Sequence, residues 1–214
     1  MFHFRNISHK FESTDGECVI EDITFSINEG ECVGLTGPSG CGKSTIAHIA
    51  AGHILPTNGE VNVDGRNLTG RPNRQVFLIH QESDLFPWLK VKKQIAVAMK
   101  NKDEKILSEL LSLVKLSKYR SYYPNQLSGG MKKRLAIARA LAVNPRLLIL
   151  DESFSSLDSN LKIELYRELK DIWQKTNTTI LLITHDSKDL QNLAQREIRL
   201  APYKPTRILE IIKS

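Results

Sequence analysis

Cysteine is scarce in this chain of 214 residues, which carries three, at Cys18, Cys32 and Cys41. An odd number without the spacing of metal ligands predicts free thiols in a reducing compartment. Long apolar runs are also missing, because none approaches the roughly 18 residues that a membrane span needs. No charged start followed by an apolar segment marks a signal peptide. We therefore expect a protein that neither crosses a membrane nor is exported.

The chain also lacks a concentrated basic patch. Its 30 Lys and Arg residues stand against 24 Asp and Glu, a formal net charge of +6. Apart from Lys90–Lys93 and Lys132–Arg134 the basic residues are scattered. No zinc spacing, RNA-binding signature or alternation of basic and aromatic residues accompanies them. We therefore predict no nucleic-acid partner, and a mildly basic surface that faces a membrane.

A glycine-rich loop near the start of the chain carries the first chemical signal. It fits the pattern G-x-x-x-x-G-K-[ST] in full, through Gly37, Pro38, Ser39, Gly40, Cys41, Gly42, Lys43 and Ser44. An apolar run at Cys32–Leu35 precedes it and predicts a buried strand, and a helical pattern at Thr45–Ala51 follows. The glycines let backbone N–H groups converge on phosphate oxygens at a helix N-terminus. We predict that Lys43 reaches the β- and γ-phosphates and that the Ser44 hydroxyl binds Mg²⁺.

A pair of acids ends an apolar run in the second half. Arg146–Leu150 leads into Asp151 and Glu152, which predicts a central parallel strand with both acids at its C-terminal tip. Open α/β sheets bind their ligands at that tip. Asp151 is suited to hold Mg²⁺, directly or in its outer shell, and Glu152 to polarise an attacking water as general base. The alternative is that both acids merely cap a strand end.

Two further sequence features are also relevant to nucleotide binding. Thr179–Thr184 predicts another buried strand, and it ends at His185, close to where a γ-phosphate would lie. The alternative for His185 is an ordinary surface or core histidine. Upstream, a glycine pair opens a strong helix-forming stretch at Met131–Ala140, with Ser128 suited to cap it.

Together these motifs resemble the nucleotide-binding subunit of an ATP-binding cassette (ABC) transporter over essentially the whole chain. The six matched motifs, in chain order, are Walker A at Gly37–Thr45, the Q-loop at Gln81, the signature at Leu127–Met131, Walker B at Leu147–Asp151 followed by Glu152, the D-loop at Ser156–Asp158 and the switch histidine His185. Phe11 matches the position where this family stacks an aromatic ring on adenine, although Phe2 and Phe4 lie nearby and a core role is the alternative.

The resemblance implies a dimer with ATP and Mg²⁺ as cofactors. Walker A residues as far as Thr45 and the D-loop Asp158 would bind nucleotide, and Gln81 would bind Mg²⁺ and sense the γ-phosphate together with His185. Ser128, Gly129 and Gly130 would contact the ATP of the other subunit, with the positive end of the signature helix directed at its γ-phosphate. The second subunit would be an identical copy or a related chain, and hydrolysis would cycle the dimer.

The resemblance also implies partners and location. Integral membrane permease subunits, and an extracytoplasmic substrate-binding protein, would place the chain peripherally on the cytoplasmic face of the inner membrane. The apolar stretch Leu85–Leu89 either fills a small core or forms an exposed patch that receives a permease helix. This stretch is similar to that of importers of nitrate, sulfonate, taurine and related small anions. The functional alternatives are an ABC ATPase of DNA repair, disfavoured by the short insert, and an ABC-type regulator or cell-division component.

The order of the elements predicts an α/β fold. We expect a phosphate-loop NTPase (RecA-like) core with a parallel sheet over 1–82 and 143–214, and an inserted helical subdomain over 83–142. An antiparallel β subdomain is predicted from Phe2–Ile7, Val19–Ile27 and Gly59–Gly65. The predicted helices of the insert are Val91–Met99, Glu104–Leu116 and the signature helix. A last strand pair, Glu197–Leu200 and Arg207–Ile212, would leave no room for a C-terminal regulatory domain.

Overall fold

The computed structural model describes residues 1–11, 17–80, 85–154 and 159–213. The strands in these ranges are β1 (Phe2–Lys10), β2 (Cys18–Ile27), β3 (Cys32–Thr36), β4 (Asn58–Val63), β5 (Arg66–Asn67), β6 (Val76–Ile79), β7 (Leu147–Asp151), β8 (Thr179–Ile183), β9 (Arg196–Leu200) and β10 (Ile208–Lys213). The α-helices are α1 (Lys43–Ala50), α2 (Val91–Ala96), α3 (Glu104–Leu113), α4 (Gly129–Ala142), α5 (Ser159–Thr176) and α6 (Ser187–Leu193). None of the helices in these ranges is long and apolar enough to span a membrane.

A six-stranded sheet forms the centre of the molecule, in the order β10-β9-β3-β8-β7-β6. All neighbours pair in parallel except the edge strand β10, which is antiparallel to β9. Every residue of β3, β7 and β8 is buried. Strands buried on both faces read as continuous apolar runs rather than as alternating patterns. The predicted α/β fold with a parallel core is therefore confirmed.

The N-terminal strands form a separate antiparallel sheet in the order β2-β1-β4-β5. Phe2 pairs with Ile27 on one side and with Val63 on the other, and the rings of Phe4 and Phe25 stack 4.2 Å apart. One face of this sheet packs into the same apolar cluster as β3 and α1. The sheet thereby holds the start of α1 against the parallel sheet, as the alternating sequence pattern predicted.

Helices α2, α3 and α4 build a second apolar cluster together with α5 and one face of the central sheet. Helix α3 ends at Leu113 rather than at Leu116, because Lys115 adopts the left-handed backbone conformation (φ 58°) and the Leu116 N–H bonds back to the Leu111 carbonyl. Helix α2 likewise stops at Ala96, three residues short of the predicted Met99. The division into 1–82 and 143–214 against 83–142 stays a prediction.

Helices α4 and α5 are joined by a compact ion network. Arg134 on α4 donates from Nε and Nη2 to the two carboxylate oxygens of Glu168, at 2.7 and 3.0 Å. Lys115 pairs with the same carboxylate at 2.8 Å, and Arg134 also reaches Glu164 at 2.9 Å. Glu168 is buried and Arg134 nearly so, which makes this fork-to-fork contact stronger than an ordinary surface pair. The signature helix is therefore tied to the helix that follows Walker B.

Candidate active site

The parallel sheet brings the predicted motifs to one edge. Strands β3, β8 and β7 are successive neighbours running in the same direction. The loops that leave their C-terminal ends therefore meet, and these loops carry Walker A, His185 and the pair Asp151 and Glu152. Gln81 and Asp158 were also predicted for the site and lie outside the described residues.

Three glycines of the phosphate loop stand where the backbone angle or the close packing disfavours a side chain. Gly40 and Gly42 adopt positive φ angles of 77° and 93°, a region that side chains disfavour. A Cβ on Gly42 would also lie 2.5 Å from Cγ2 of Ile20 on β2. A Cβ on Gly37 would lie 2.7 Å from the Cys41 sulfur. The loop is thus folded tightly against both sheets, and its tight curve ends where α1 begins.

Lys43 lies inside this loop rather than on its surface. The residue is 6% exposed, and its ammonium donates to the carbonyl oxygens of Gly37 and Pro38, each at 2.8 Å. Its third N–H can face the Cys41 sulfur, 4.0 Å away and a weak acceptor. A phosphate oxygen would be a much stronger acceptor at that place. The loop carbonyls therefore fix a positive charge at the position where the sequence predicts phosphate binding.

Cys41 contributes shape rather than a polar side chain. Its thiol is buried in the apolar cluster beneath the loop, and its backbone N–H donates to the Pro38 carbonyl at 3.3 Å. The thiol therefore faces inward, away from the surface of the loop on which a nucleotide would lie.

Asp151 carries the orphaned polar atom of the site. The residue is 8% exposed, and its Oδ1 is buried with no hydrogen-bond partner among the residues that the structure describes. Burial raises the pKa of this carboxyl, and the charge of Glu152 adds to the rise, whereas a hydrogen bond with Ser44 and the charges of His80 and His48 lower it. The net direction is upward, so the ionised form is disfavoured until a cation compensates it.

These groups fit a magnesium ion. A buried, uncompensated carboxylate oxygen beside the Ser44 hydroxyl is the oxygen-only donor set that Mg²⁺ prefers. Within the described ranges no group of three or more His, Cys, Asp or Glu side chains could hold a metal by itself. Such an ion would therefore share its remaining positions with phosphate oxygens and water, as magnesium in nucleotide sites does.

Glu152 and His185 form a pair on the open side of the loop. Nδ1 of His185 lies 3.4 Å from Oε1 of Glu152, and the two side chains are 62% and 30% exposed. Glu152 is held at a positive φ of 45°, rare for a residue with a side chain, while its N–H bonds to the Ile183 carbonyl at 2.9 Å. Strained conformations of this kind persist only where surrounding contacts enforce them. Here the hydrogen bond to Ile183 at the end of β8 holds the Glu152 backbone and directs the residue away from the sheet.

A buried hydrogen-bond network behind His185 was not predicted from the sequence. Thr184 donates its hydroxyl to the Asp189 carboxylate and accepts the Asp186 N–H at 3.0 Å. The Tyr166 hydroxyl on α5 donates to the same carboxylate, and burial together with that carboxylate raises the pKa of Tyr166. The network ties the residue before His185 to α5 and α6. In the sequence, the only indication of this network is an acidic residue in a short helix with leucines nearby, and this pattern does not identify the residues that bond to it.

A cavity of about 340 Å³ lies beside the phosphate loop and Glu152, and neither Asp151 nor His185 is among the described residues that line it. Its lining consists of Phe11, Val19, Ser39, Gly40, Gly42, Lys43, Ser44, Thr45, Glu152 and Lys204. Phe11 was predicted, and its half-buried ring packs edge-on against His9 at 4.5 Å. Val19 and Lys204 were not predicted. Lys204 is far away in sequence, and no local motif marks it.

The signature residues occupy a different place. Ser128 caps α4 by accepting the Met131 N–H at 3.3 Å, as the sequence predicted. A Cβ on Gly130 would lie 2.9 Å from both methyl groups of Leu161 on α5, so a side chain at this position would require the Leu161 side chain to shift. Ser128, Gly129 and Gly130 are not among the described residues that line the cavity. Within one chain the signature residues therefore do not contribute to the cavity beside the phosphate loop.

Comparison with known families agrees with this geometry. The model of the family described as "ABC transporter" matches residues 20–155, more than half of the chain. The chain belongs to the ABC transporter family. The matched range includes Walker A, the signature and Walker B, with the acids Asp151 and Glu152 at its end.

Individual ABC proteins are similar over most of their length. The aliphatic sulfonates import ATP-binding protein SsuB of Bacillus subtilis (strain 168) is 43% identical over 197 residues, which covers 91% of this chain and 76% of that protein. The nitrate import ATP-binding protein NrtD of Synechococcus elongatus is 37% identical, covering 99% of this chain and 80% of that protein. Among solved structures, a dimeric post-hydrolysis state of the ATP-binding cassette MJ0796 bound to ADP and Pi matches with a TM-score of 0.84 and 27% identity, over 100% of this chain and 98% of that one. The predicted family and fold are thus confirmed.

Proposed function

We propose that this chain is the ATPase subunit of an importer, and that it hydrolyses Mg²⁺-bound ATP between two copies of itself. One observation carries the proposal. The phosphate loop and Glu152 line one cavity, while Ser128, Gly129 and Gly130 at the start of α4 are not among the described residues that line it. A second copy would supply the missing signature, and the dimeric form of the similar cassette MJ0796 supports that arrangement. Pairing with a related chain would complete the cavity equally well.

The roles within one site follow from position and charge. Lys43 and the loop N–H groups would bind the phosphates, with Phe11 under the base. Ser44 and Asp151, together with Gln81, would hold Mg²⁺, which when bound neutralises phosphate charge. Glu152 lies at the mouth of the cavity and would orient and polarise the attacking water. His185 lies 3.4 Å from Glu152 and would sense the γ-phosphate, and Asp158 would act at the subunit boundary.

An exposed apolar groove supports the permease partner. It has a volume of about 640 Å³ and is lined by Arg74, Phe77, Phe86, Trp88, Leu89, Val97, Ala98, Arg139 and Val143. Trp88 is 69% exposed, which removes the alternative that the stretch Leu85–Leu89 merely fills a core. Clustered aromatic residues on a surface are typical of protein contacts. A short helix of a membrane permease would fit here, and the chain would then lie peripherally on the cytoplasmic face of the inner membrane.

The groove is rigid because a buried glutamine holds its wall. The Gln94 side chain on α2 accepts the Phe86 N–H at 3.1 Å and donates to the carbonyls of Phe86 and Leu89. Arg139 on the signature helix lies over the Phe86 ring, 5.4 Å from its centre. A displacement of this wall by a bound permease helix would therefore be transmitted to α4, which has Ser128 at its opposite end.

The names of the relatives narrow the transported substrate. SsuB serves import of aliphatic sulfonates and NrtD import of nitrate, so small anions are the proposed class for this chain. An extracytoplasmic binding protein would deliver them to the permease. A regulatory or cell-division role is the alternative, and no similar protein named above favours it.

The decisive experiment is the substitution Glu152→Gln. We expect hydrolysis to fall by about 10²- to 10⁴-fold while ATP binding persists, because only the polarising group is lost. Size-exclusion chromatography in saturating Mg²⁺ and ATP should show a dimer that ADP does not produce. Glu109→Gln, an exposed change on α3, is the matched control and should behave as wild type. A Glu152→Gln chain that stays monomeric and hydrolyses ATP normally would refute the site.

A further inference from the structure

We propose that Lys204, in the turn between β9 and β10, binds the sugar-proximal (α) phosphate of the nucleotide. The inference rests on the proposed ATP site and adds a second lysine to it. Lys204 lines the same cavity as Lys43 and Phe11, although 161 positions separate the two lysines along the chain (204 minus 43). Its position follows from how the turn is anchored, and its role follows from the charge that it brings.

The turn is anchored to the phosphate loop at its first end. Leu200 closes β9 and is buried, and its Cβ lies 3.1 Å from where a Cβ on Gly37 would be. Gly37 starts the phosphate loop, so the end of β9 and the start of the loop are in direct contact. The turn therefore leaves β9 already next to the phosphate-binding backbone.

The second end of the turn is fixed to the antiparallel sheet. Thr206 is fully buried, its N–H donates to the Val19 carbonyl at 3.0 Å, and its carbonyl accepts the Glu21 N–H at 2.9 Å. Its hydroxyl also donates to the Tyr203 carbonyl at 3.1 Å, which closes the turn on itself. Lys204 lies between these two anchors, so its Cα is held at the rim of the cavity.

The anchors also indicate which end of the nucleotide Lys204 would meet. In the proposed site Glu152 and Ser44 would lie at the γ-phosphate end of the cavity, and Phe11 and Val19 at the base end. Thr206, two residues beyond Lys204, bonds to the backbone of Val19. Lys204 therefore approaches from the base side, where the first phosphate after the sugar would lie. Lys43 occupies the opposite end, inside the loop.

The charge of Lys204 is available for this contact. The side chain is exposed, and within the described ranges Lys204 takes part in no ion pair. Nearby cations differ, since Arg199 pairs with Glu197 and Glu210, and Arg207 pairs with Glu21. An unpaired ammonium at the rim of a phosphate site gains a charge-assisted hydrogen bond when an oxyanion binds.

Nucleotide titration by calorimetry on Lys204→Gln tests the proposal. We expect the Kd values for ATP, ADP and AMP to rise by the same factor, about threefold to tenfold, because all three carry the α-phosphate. Adenosine, tested by competition, should bind wild type and variant equally. Lys204→Arg should restore most of the affinity. Lys213→Gln, an exposed change on β10 remote from the cavity, is the matched control and should leave all four ligands unaffected.

Two outcomes would overturn the assignment. Unchanged Kd values for ATP and ADP would remove Lys204 from the site, and an effect on ATP alone would move the contact to the γ-phosphate. Lys43→Ala measured in the same series separates this inference from the proposed function. If Lys43→Ala abolishes ATP binding while Lys204→Gln does nothing, the ATP site stands and only the role of Lys204 fails.

Discussion

Asp151 and Glu152 are adjacent acids of one strand end, yet they occupy contrasting environments. Asp151 is buried, and one of its oxygens has no hydrogen-bond partner in the described part of the chain, whereas Glu152 turns outward at a left-handed backbone angle to meet His185. The environment of Asp151 suits a group that waits for a cation, and that of Glu152 suits a group that must reach water. Side-chain identity alone would not distinguish these roles.

The buried charge of Asp151 predicts that this residue lowers the stability of the ligand-free protein, although it serves the proposed cation site. A pKa raised by burial means that the folded state holds the proton more tightly than the unfolded state does. The ionised carboxylate therefore costs stability that appears as pH rises above the ordinary value of 3.8 toward the raised one, and the cost persists at neutral pH. Asp151→Asn should thus raise Tm at neutral pH without ligand, by about 2–4 °C for each kcal/mol gained.

Differential scanning fluorimetry across pH checks this prediction. The gain should shrink toward acid pH, where the wild-type carboxyl is protonated as well. The same variant should lose the extra stabilisation that Mg²⁺ adds to ATP, because the cation no longer has its carboxylate. A wild type that is more stable than Asp151→Asn at neutral pH would contradict the argument.

At the scale of elements, the sequence predicted whatever is repeated or fully buried. Strands β3, β7 and β8 are mostly apolar because both of their faces are covered, so their runs could be recognised directly. The end of α3 was missed because Lys115, not glycine, takes the left-handed angle there. The Thr184, Asp189 and Tyr166 network could not be derived, since it joins three elements whose arrangement no local pattern encodes.

The exposed aromatic residues Phe86 and Trp88 lead to a prediction at the scale of elements. Trp88→Ala should lower uptake by about tenfold or more, because an exposed aromatic anchor would be lost from a contact. ATP hydrolysis by the isolated chain should be unchanged, since Trp88 does not line the nucleotide cavity. Radiolabelled sulfonate or nitrate uptake in cells, paired with ATPase assays, measures both. Ile106→Ala removes an exposed apolar side chain of α3 and should leave uptake intact, and normal uptake with Trp88→Ala would count against docking.

For the whole molecule, the proposed function makes each site depend on two chains, because the signature residues do not line the phosphate-loop cavity of their own chain. The phosphate loop and Glu152 share a cavity, and Ser128 lies at the start of a helix elsewhere. Helix α4 is nevertheless bound to α5 through Arg134 and Glu168. Closure of two such chains would complete two cavities at once, and that makes mixed dimers informative.

Mixing inactive variants should reveal which residues share a cavity. Lys43→Ala mixed with Ser128→Arg should regain hydrolysis, because a mixed dimer contains one cavity whose loop and signature are both intact. Lys43→Ala mixed with Glu152→Gln should stay inactive, since Lys43 and Glu152 of one chain line the same cavity and each cavity of the mixed dimer therefore carries one defect. Steady-state ATPase assays of chains refolded together measure both pairs. Recovery in neither mixture would mean that the copies do not share a site, and recovery in both would separate Glu152 from the phosphate loop of its own chain.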